Sequence, residues 1–394
     1  MTDPARARLP QRSLLTDPVV RAVIIQIAVF ALVAGVLAFA AVNTAENLKR
    51  AGIASGFGFF NQVAGFDVSQ SLVEYSREST YGRVFLVGLL NTLLVSSVSI
   101  VVATVLGFAV GLLRLSGNWL VSRMAAVYVE ILRNVPLLLQ ILFWYIAILN
   151  PLPGPRQAMS LFDTIFLCNR GLIIPWPVFL PGSWLVLVAF LLALAGGAGL
   201  VLWARRRQRL TGKRFPAYVS SLGLIILLPL VALAAAGFPI RWDLPELSGF
   251  NFAGGLTLQP EFTALVLALS LYTAAFIAEN VRAGIEAVDK GQIEAAHSLG
   301  LRPAPTMRLV VVPQALRVII PPLTSQHLTL VKNSSLAVVI GYPDLVSVFA
   351  GTTLNQTGQA VEIIAITMLV YLTISLAISL FMNWYNARVA ILER

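Results

Sequence analysis

The sequence predicts an all-α integral membrane protein with about eight transmembrane helices. Three observations carry that prediction. Of 394 residues, 58% are hydrophobic and only 12% charged, with a mean hydropathy of +0.83, whereas soluble domains run near one quarter charged. The apolar residues come in runs of about 20, the length at which a helix crosses a hydrocarbon core of ~30 Å. The runs are continuous, unlike the alternating ~10-residue strands of a membrane barrel.

Eight runs follow one another, over 19–42, 84–113, 124–149, 183–203, 217–237, 262–280, 308–340 and 361–383. The first has arginines before it and Ala38-Phe39-Ala40 near its end, the outline of a cleaved signal. Its apolar stretch exceeds the 7–15 residues of a signal core, so a retained helix is expected. The seventh is expected to be broken, because Pro321 and Pro322 each remove a helix donor.

A formal charge of +10 raises nucleic acid as a partner. The basic residues are instead spaced like topology signals. Arg6, Arg8, Arg12, Arg114, Arg123, the run 204–214, Arg282, Lys290, Arg302, Arg308, Arg388 and Arg394 share one side of an eight-span chain. The other side holds Lys49, Arg50, Arg77 and Arg83 in a loop with four acids, then Arg156, Arg170 and Arg241. The positive-inside rule puts both termini in the cytoplasm. The run 204–214 then reads as an anchor beside anionic lipid.

Two stretches look added to a core. Residues 43–83 form a Gly- and Phe-containing external loop. Residues 150–261 hold two helices, the basic hinge and external loops rich in Pro and Trp, where Trp176, Trp184 and Trp242 suit an interfacial belt. The expected organisation is 1–83 for the N-terminal tail, first helix and external loop, 84–149 for the first part of a core, 150–261 for a two-helix insertion, and 262–394 for the second part. That last part contains a polar loop over 281–307. Five spans remain when the first helix and the insertion are set aside.

The polar loop carries the most specific pattern. Asp289 is placed to cap a helix, with Gln292 three residues on, the spacing of a capping box. Gly300 suits the left-handed position after a helix, and Pro303 forbids continuation. A helix over 290–299 is expected, too short to be stable alone, with Ala295, Ala296 and Leu299 along one face. Such a unit is either a plug for a docking partner or a cap lying on its own bundle.

Glu294-Ala295-Ala296, three residues, Gly300, nine residues, Val310, one residue and Val312-Pro313 resembles the cytoplasmic-loop signature of ABC importer permeases, with Val in place of Ile and Leu. The stretches NTLLVSSVSIVVATVLGFAVGLLRLS (91–116), LRNVPLLLQILFWY (132–145), AAFIAENVRAGIEAVDKGQIEAA (274–296) and VKNSSLAVVIGYPDL (331–345) are similar to the polar amino acid branch of that family. The extra first helix and the 150–261 insertion resemble the general L-amino acid importers of Gram-negative bacteria. The resemblance spans the five-span core. It implies a five-span type I ABC importer permease core in the bacterial inner membrane, importing polar or general L-amino acids. The implied partners are an ABC ATPase dimer that binds ATP and Mg, a second related permease and a periplasmic amino-acid-binding protein, with no cofactor in this chain. Asp289, Gln292, Glu294, Ala295, Ala296 and Gly300 are the implied contacts to the ATPase.

Charges inside apolar runs cost roughly 2.5–3.5 kcal/mol at the bilayer centre. Arg133, Glu279 and Lys332 are such residues, and Gln140 and Asn333 lie near them in sequence. They are candidates for a substrate path; the competing reading is an ion-pair network, with Glu279 pairing Arg282 three residues on. Tyr145 and His327 are weaker candidates. One cysteine, Cys168, and two histidines exclude a Cys or His metal site and an intrachain disulfide. Cys168 reads as an inert thiol.

The chain lacks G-x-x-x-x-G-K-[ST] and H-E-x-x-H, so neither an ATPase nor a zinc protease of its own is expected. A non-catalytic transport subunit leads. An ion-coupled secondary amino-acid transporter is the alternative, and only the first demands a stoichiometric nucleotide-binding partner.

Overall fold

The computed structural model describes residues 18–50, 55–213 and 215–389. The expected tail with Arg6, Arg8 and Arg12, and also Arg214 and Arg394, lies outside the described residues. The membrane-length helices are α1 (Pro18–Arg50), α2 (Tyr81–Arg114), α5 (Trp184–Thr211), α6 (Ala217–Ala235), α7 (Pro260–Glu286), α10 (Val312–Asn333) and α12 (Ala360–Val389). Among the described residues, seven segments are long and apolar enough to span a membrane. An eighth forms if α3 (Trp119–Asn134) and α4 (Leu137–Leu142, continued as a π-helical stretch to Leu149) count as one crossing bent by 105°. The bend falls at Pro136, which lacks the N–H that would carry the ladder across.

The core is built on small residues. In α2, Ser99, Ala103, Gly107 and Gly111 recur every fourth residue and are all buried. This spacing lines one helix face and lets backbones approach closely, the device that holds helices together in lipid. α7 fills the gap. A Cβ added at Gly107 would fall 2.5 Å from the Ile277 Cβ and 3.0 Å from the Ala274 carbonyl. At Gly111 it would fall 2.8 Å from the Val281 Cβ. α10 packs on α7 through buried Ala315 and Ile319, the latter against Gly284.

A second cluster joins Phe59, Tyr81, Val84, Leu345, Phe349 and Ile363. The stretch expected as a plain external loop thus drives Phe59 into the protein, 1% exposed. Phe349 meets Phe85 edge-on at 5.2 Å.

The expected break at Pro321-Pro322 is absent. α10 runs through both prolines. Their lost hydrogen bonds are outweighed by burial of Ile319, Ile320 and Leu323 around them. The irregular turns lie at the ends of this segment instead: a π-helical turn at Met307–Val311 and a 3-10 stretch at Ser334–Ile340.

The Pro- and Trp-rich loops are not irregular either. They form eight short strands, β1 (Met159–Leu161), β2 (Ile165–Cys168), β3 (Gly171–Ile174), β4 (Trp176–Phe179), β5 (Ile240–Asp243), β6 (Glu246–Ser248), β7 (Asn251–Ala253) and β8 (Leu256–Leu258). A sheet of order β1-β2-β3-β8 unites both loops through pairs such as Leu172↔Leu258. β4 pairs with β5, again across the insertion. Strands of three or four residues alternate too briefly to read from sequence, and their partners here are far along the chain. Cys168 is fully buried in β2.

α5 and α6 pack chiefly on each other. Gly197 admits Ser221, whose hydroxyl donates to the Gly197 carbonyl at 3.0 Å. The chain thus has two ends: the strands gather at one, and α8 (Lys290–Ser298), the α2–α3 turn and the α5–α6 turn lie at the other.

Replacing Gly107 with Val should separate α2 from α7 and cost about 1–3 kcal/mol by overpacking. The thermal midpoint of the purified chain should fall clearly. Gly117→Ala, where an added Cβ meets nothing within 4 Å, should leave it unchanged. Equal midpoints for the two variants would contradict this account of the seam.

Candidate functional site

α8 is anchored at both ends. The Asp289 side chain accepts from the Gly291 N–H at 2.7 Å. Gln292 returns no side-chain bond among the described residues, so the expected capping box is a single cap; the polar Gln292 side chain stays in solvent. At the far end Gly300 has φ +76°. The Gly300 N–H donates to the His297 carbonyl at 2.9 Å and the Leu301 N–H to the Ala296 carbonyl at 3.1 Å. This is a Schellman closure, which favours Gly because a Cβ at positive φ is strained.

The expected Ala295–Ala296–Leu299 face is split. Ala296 is 5% exposed and turns inward with Ile293, toward α9 (Pro303–Thr306) and the π-helical turn after it. Successive residues on a helix point 100° apart, so Ala295 then faces outward. Gln292, Ala295 and Leu299 form the outer stripe, with Leu299 82% exposed. Glu294 is exposed as well. Leu299 is the large apolar side chain that α8 displays to solvent.

Behind α8, Glu279 gathers three arginines from three helices. Arg114 at the end of α2 bonds it directly, Arg282 of α7 reaches it at 2.5 Å, and Arg133 at the end of α3 stands at 3.8 Å. Arg282 also bonds Glu286. Arg133 lies over the Phe276 ring at 5.1 Å. The sequence suggested the Glu279–Arg282 pair; Arg114 was read only as a loop cation. No local pattern links residues 165 apart.

Gln140 is buried, and its amide donates to the Leu132 and Val135 carbonyls at 2.9 Å each. It thereby satisfies acceptors freed at the Pro136 break. Tyr145 donates to Glu261 at 2.9 Å, and His327 shares a 3.0 Å hydrogen bond with Thr104.

Lys332 stands apart from the arginine cluster. It forms no ion pair among the described residues. It lines an open groove of about 420 Å³ with Ser335, Val346, Thr367, Tyr371 and Ser375. Asn333 ends α10 beside it. Tyr371 donates from the groove wall to fully buried Asp344 at 3.4 Å. Asp344 also accepts from the Ser347 N–H at 2.8 Å. The Gly341–Leu345 turn is tied to α2: Asn91 donates to the Pro343 carbonyl at 2.9 Å and the Leu345 N–H donates to Thr92 at 3.0 Å. Sequence reasoning passed over Asp344; a lone acid inside the apolar stretch 331–350 was the available signal.

Glu279→Ala leaves three guanidinium groups without their shared acceptor, so a loss of about 2–3 kcal/mol is expected. Arg133→Ala should cost well under half as much, since that contact is long and the side chain 39% exposed. Chemical or thermal unfolding of the two variants checks the order, and a larger loss for Arg133→Ala would contradict the hub role of Glu279.

The family described as binding-protein-dependent transport system inner membrane component matches residues 212–391. The chain is 56% identical over 378 residues to the putative amino-acid ABC transporter permease protein YhdX of Escherichia coli, covering 96% of each. It is 50% identical to the general L-amino acid transport system permease protein AapQ of Rhizobium johnstonii, covering 97% of this chain and 96% of that one. It is 43% identical to the glutamate/glutamine/aspartate/asparagine transport system permease protein BztB of Rhodobacter capsulatus, covering 100% and 99%. Identity at this level over whole chains, on a helical core of membrane-length segments, makes the protein a member of the amino-acid ABC transporter permeases, the membrane-spanning subunits of binding-protein-dependent importers.

Proposed function

We propose that this subunit carries polar L-amino acids inward, working with a second related permease, an ABC ATPase dimer and a periplasmic amino-acid-binding protein. The ATPase subunits bind the ATP and Mg and press on the loop at 289–300. The observation that carries this reading is α8 itself, a short helix closed at both ends and displaying Leu299 to solvent. Asp289 and Gly300 hold its shape, Ala296 seats it on the permease, and Gln292, Glu294 and Ala295 border the outer stripe. Rigid capping suits a part that transmits force, because a frayed helix would absorb the displacement.

The cargo class is supported by the relatives, whose names specify general L-amino acids or glutamate, glutamine, aspartate and asparagine. The chemistry agrees. A zwitterion leaving water needs a cation for its carboxylate and acceptors for its ammonium. Lys332 has a groove and, among the described residues, no acid partner, which favours it over Arg133 for the carboxylate. Glu279 is already matched by arginines, so with Arg133 it serves better as a clamp between helices. Gln140 serves as a cap at the Pro136 break, and Asn333 stays a candidate beside Lys332.

The orientation follows from the basic residues. The α8 end and both termini are cytoplasmic, and the strands face the periplasm, where the binding protein delivers cargo. Leu210→Cys should resist an impermeant thiol reagent in whole cells while Asn355→Cys reacts. The opposite labelling pattern would reverse the topology.

Two substitutions test the docking helix in the complete complex. Leu299→Glu places a charge in the proposed contact and should cost about 2 kcal/mol of docking, roughly thirtyfold in affinity. Gly300→Val strains the closure by about 1–2 kcal/mol. Both variants should insert normally and lose ATP-driven uptake of glutamate and glutamine. Undiminished uptake in both would sink the docking assignment. Uptake of a sugar or peptide that no amino acid competes with would sink the cargo assignment.

A further inference from the structure

The α5–α6 turn holds a dense charge that no acid neutralises among the described residues. Arg205, Arg206, Arg207 and Arg209 lie on the last turns of α5, and Lys213 follows its Gly212 terminus, where φ is +70°. No Asp or Glu occurs between Asp163 and Asp243. None of these five cations forms an ion pair among the described residues. The contrast is with Arg114, Arg133 and Arg282, which share Glu279.

Depth can be read from the tryptophans. Trp184 and Trp203 are both exposed, 62% and 48%. They stand 19 residues apart, about 28 Å along a helix at 1.5 Å per residue. That matches a hydrocarbon core of ~30 Å, with an indole at each interface. The arginines begin two residues beyond Trp203 and so fall in the headgroup layer. At a helical step of 100° per residue, Arg205, Arg206, Arg207 and Arg209 spread over about 200° of the helix circumference as an open collar, with buried Ala204 in the gap.

The collar is built into the hairpin. Arg207 lies 5.2 Å from the Trp203 ring centroid, Trp203 meets Phe215 edge-on at 5.5 Å, and Arg205 donates to the Tyr218 hydroxyl at 3.2 Å. Ala204 and Ala217 are buried beneath it and bring the two helices together there. These contacts hold guanidinium groups at the level of the interface without using up their charge. Guanidinium forks bind phosphate oxygens in pairs.

We propose that this collar binds anionic phospholipid headgroups, with Arg205, Arg206, Arg207 and Arg209 on the phosphates and Trp203 and Tyr218 beside the glycerol and upper acyl chains. Within the chain the hairpin packs chiefly on itself, and the apolar side chains it exposes, such as Leu191, Leu194 and Leu227, suit a lipid surround. An acidic protein surface is the competing occupant, and the test separates the two.

The full chain, purified in detergent, is titrated with phosphatidylglycerol or with phosphatidylcholine, and bound lipid is counted by native mass spectrometry. Phosphatidylglycerol should be retained preferentially. Replacing all four arginines with Gln should weaken that retention roughly tenfold or more, and replacing all four with Lys should preserve most of it. The milder pair Arg206→Gln and Arg209→Gln should give an intermediate loss and guards against failure of the quadruple variant to insert. Equal retention of the two lipids, or unchanged phosphatidylglycerol binding by both Gln variants, would overturn the proposal. Displacement by inorganic phosphate would assign the collar to free anions instead. Unchanged lipid binding together with loss of a co-purified protein subunit would assign it to a protein partner.

Discussion

The α2–α7 seam is the contact on which the rest of the protein depends. Ser99, Ala103, Gly107 and Gly111 offer no side-chain bulk, and Ile277 and Val281 settle against bare backbone. In a bilayer there is no water to drive helices together, so close van der Waals contact must supply the association. Once the seam is closed, two distant polar systems line up. At one end Arg114 reaches Glu279. At the other, Asn91 and Thr92 grip the turn that carries buried Asp344. A wider α2–α7 spacing would pull Arg114 away from Glu279.

Two departures from regular helix are matched by a local substitute for the missing bonds. Pro136 interrupts the third crossing, and Gln140 bonds the carbonyls left over. Gly300 closes α8 by backbone bonds alone. Such compensation is required, because an unpaired backbone group away from water costs as much as a lost hydrogen bond. It also fits the proline-induced irregularity near the charged cluster, where the carbonyls freed at Pro136 find a side-chain donor. The prolines of α10 show the converse, a helix that continues among buried neighbours despite two missing donors.

The molecule also separates two kinds of positive charge. Arg114, Arg133 and Arg282 are spent on Glu279 inside the core. Among the described residues, Arg205, Arg206, Arg207 and Arg209 form no ion pair, on a hairpin that packs chiefly on itself. Net charge and loop counting treat both groups alike as topology signals; only their surroundings distinguish a clamp from a free patch.

What the sequence determined by itself was whatever depends on chemistry close along the chain. Apolar run length set the membrane class, because backbone in lipid must satisfy itself within one helix. Asp289, Gly300 and Pro303 marked α8, since caps and left-handed termini act over a few residues. The pattern from Glu294 to Pro313 led to the family. Tertiary structure decided whatever joins distant residues. It chose which side of α8 turns inward, sending Ala296 to the body and leaving Leu299 outside. It brought Arg114 to Glu279, set the Gln140 amide against the carbonyls freed at Pro136, and paired β3 with β8 across two intervening helices. Those choices rest on three-dimensional packing, where the energy of a contact belongs to residues that no local spacing connects.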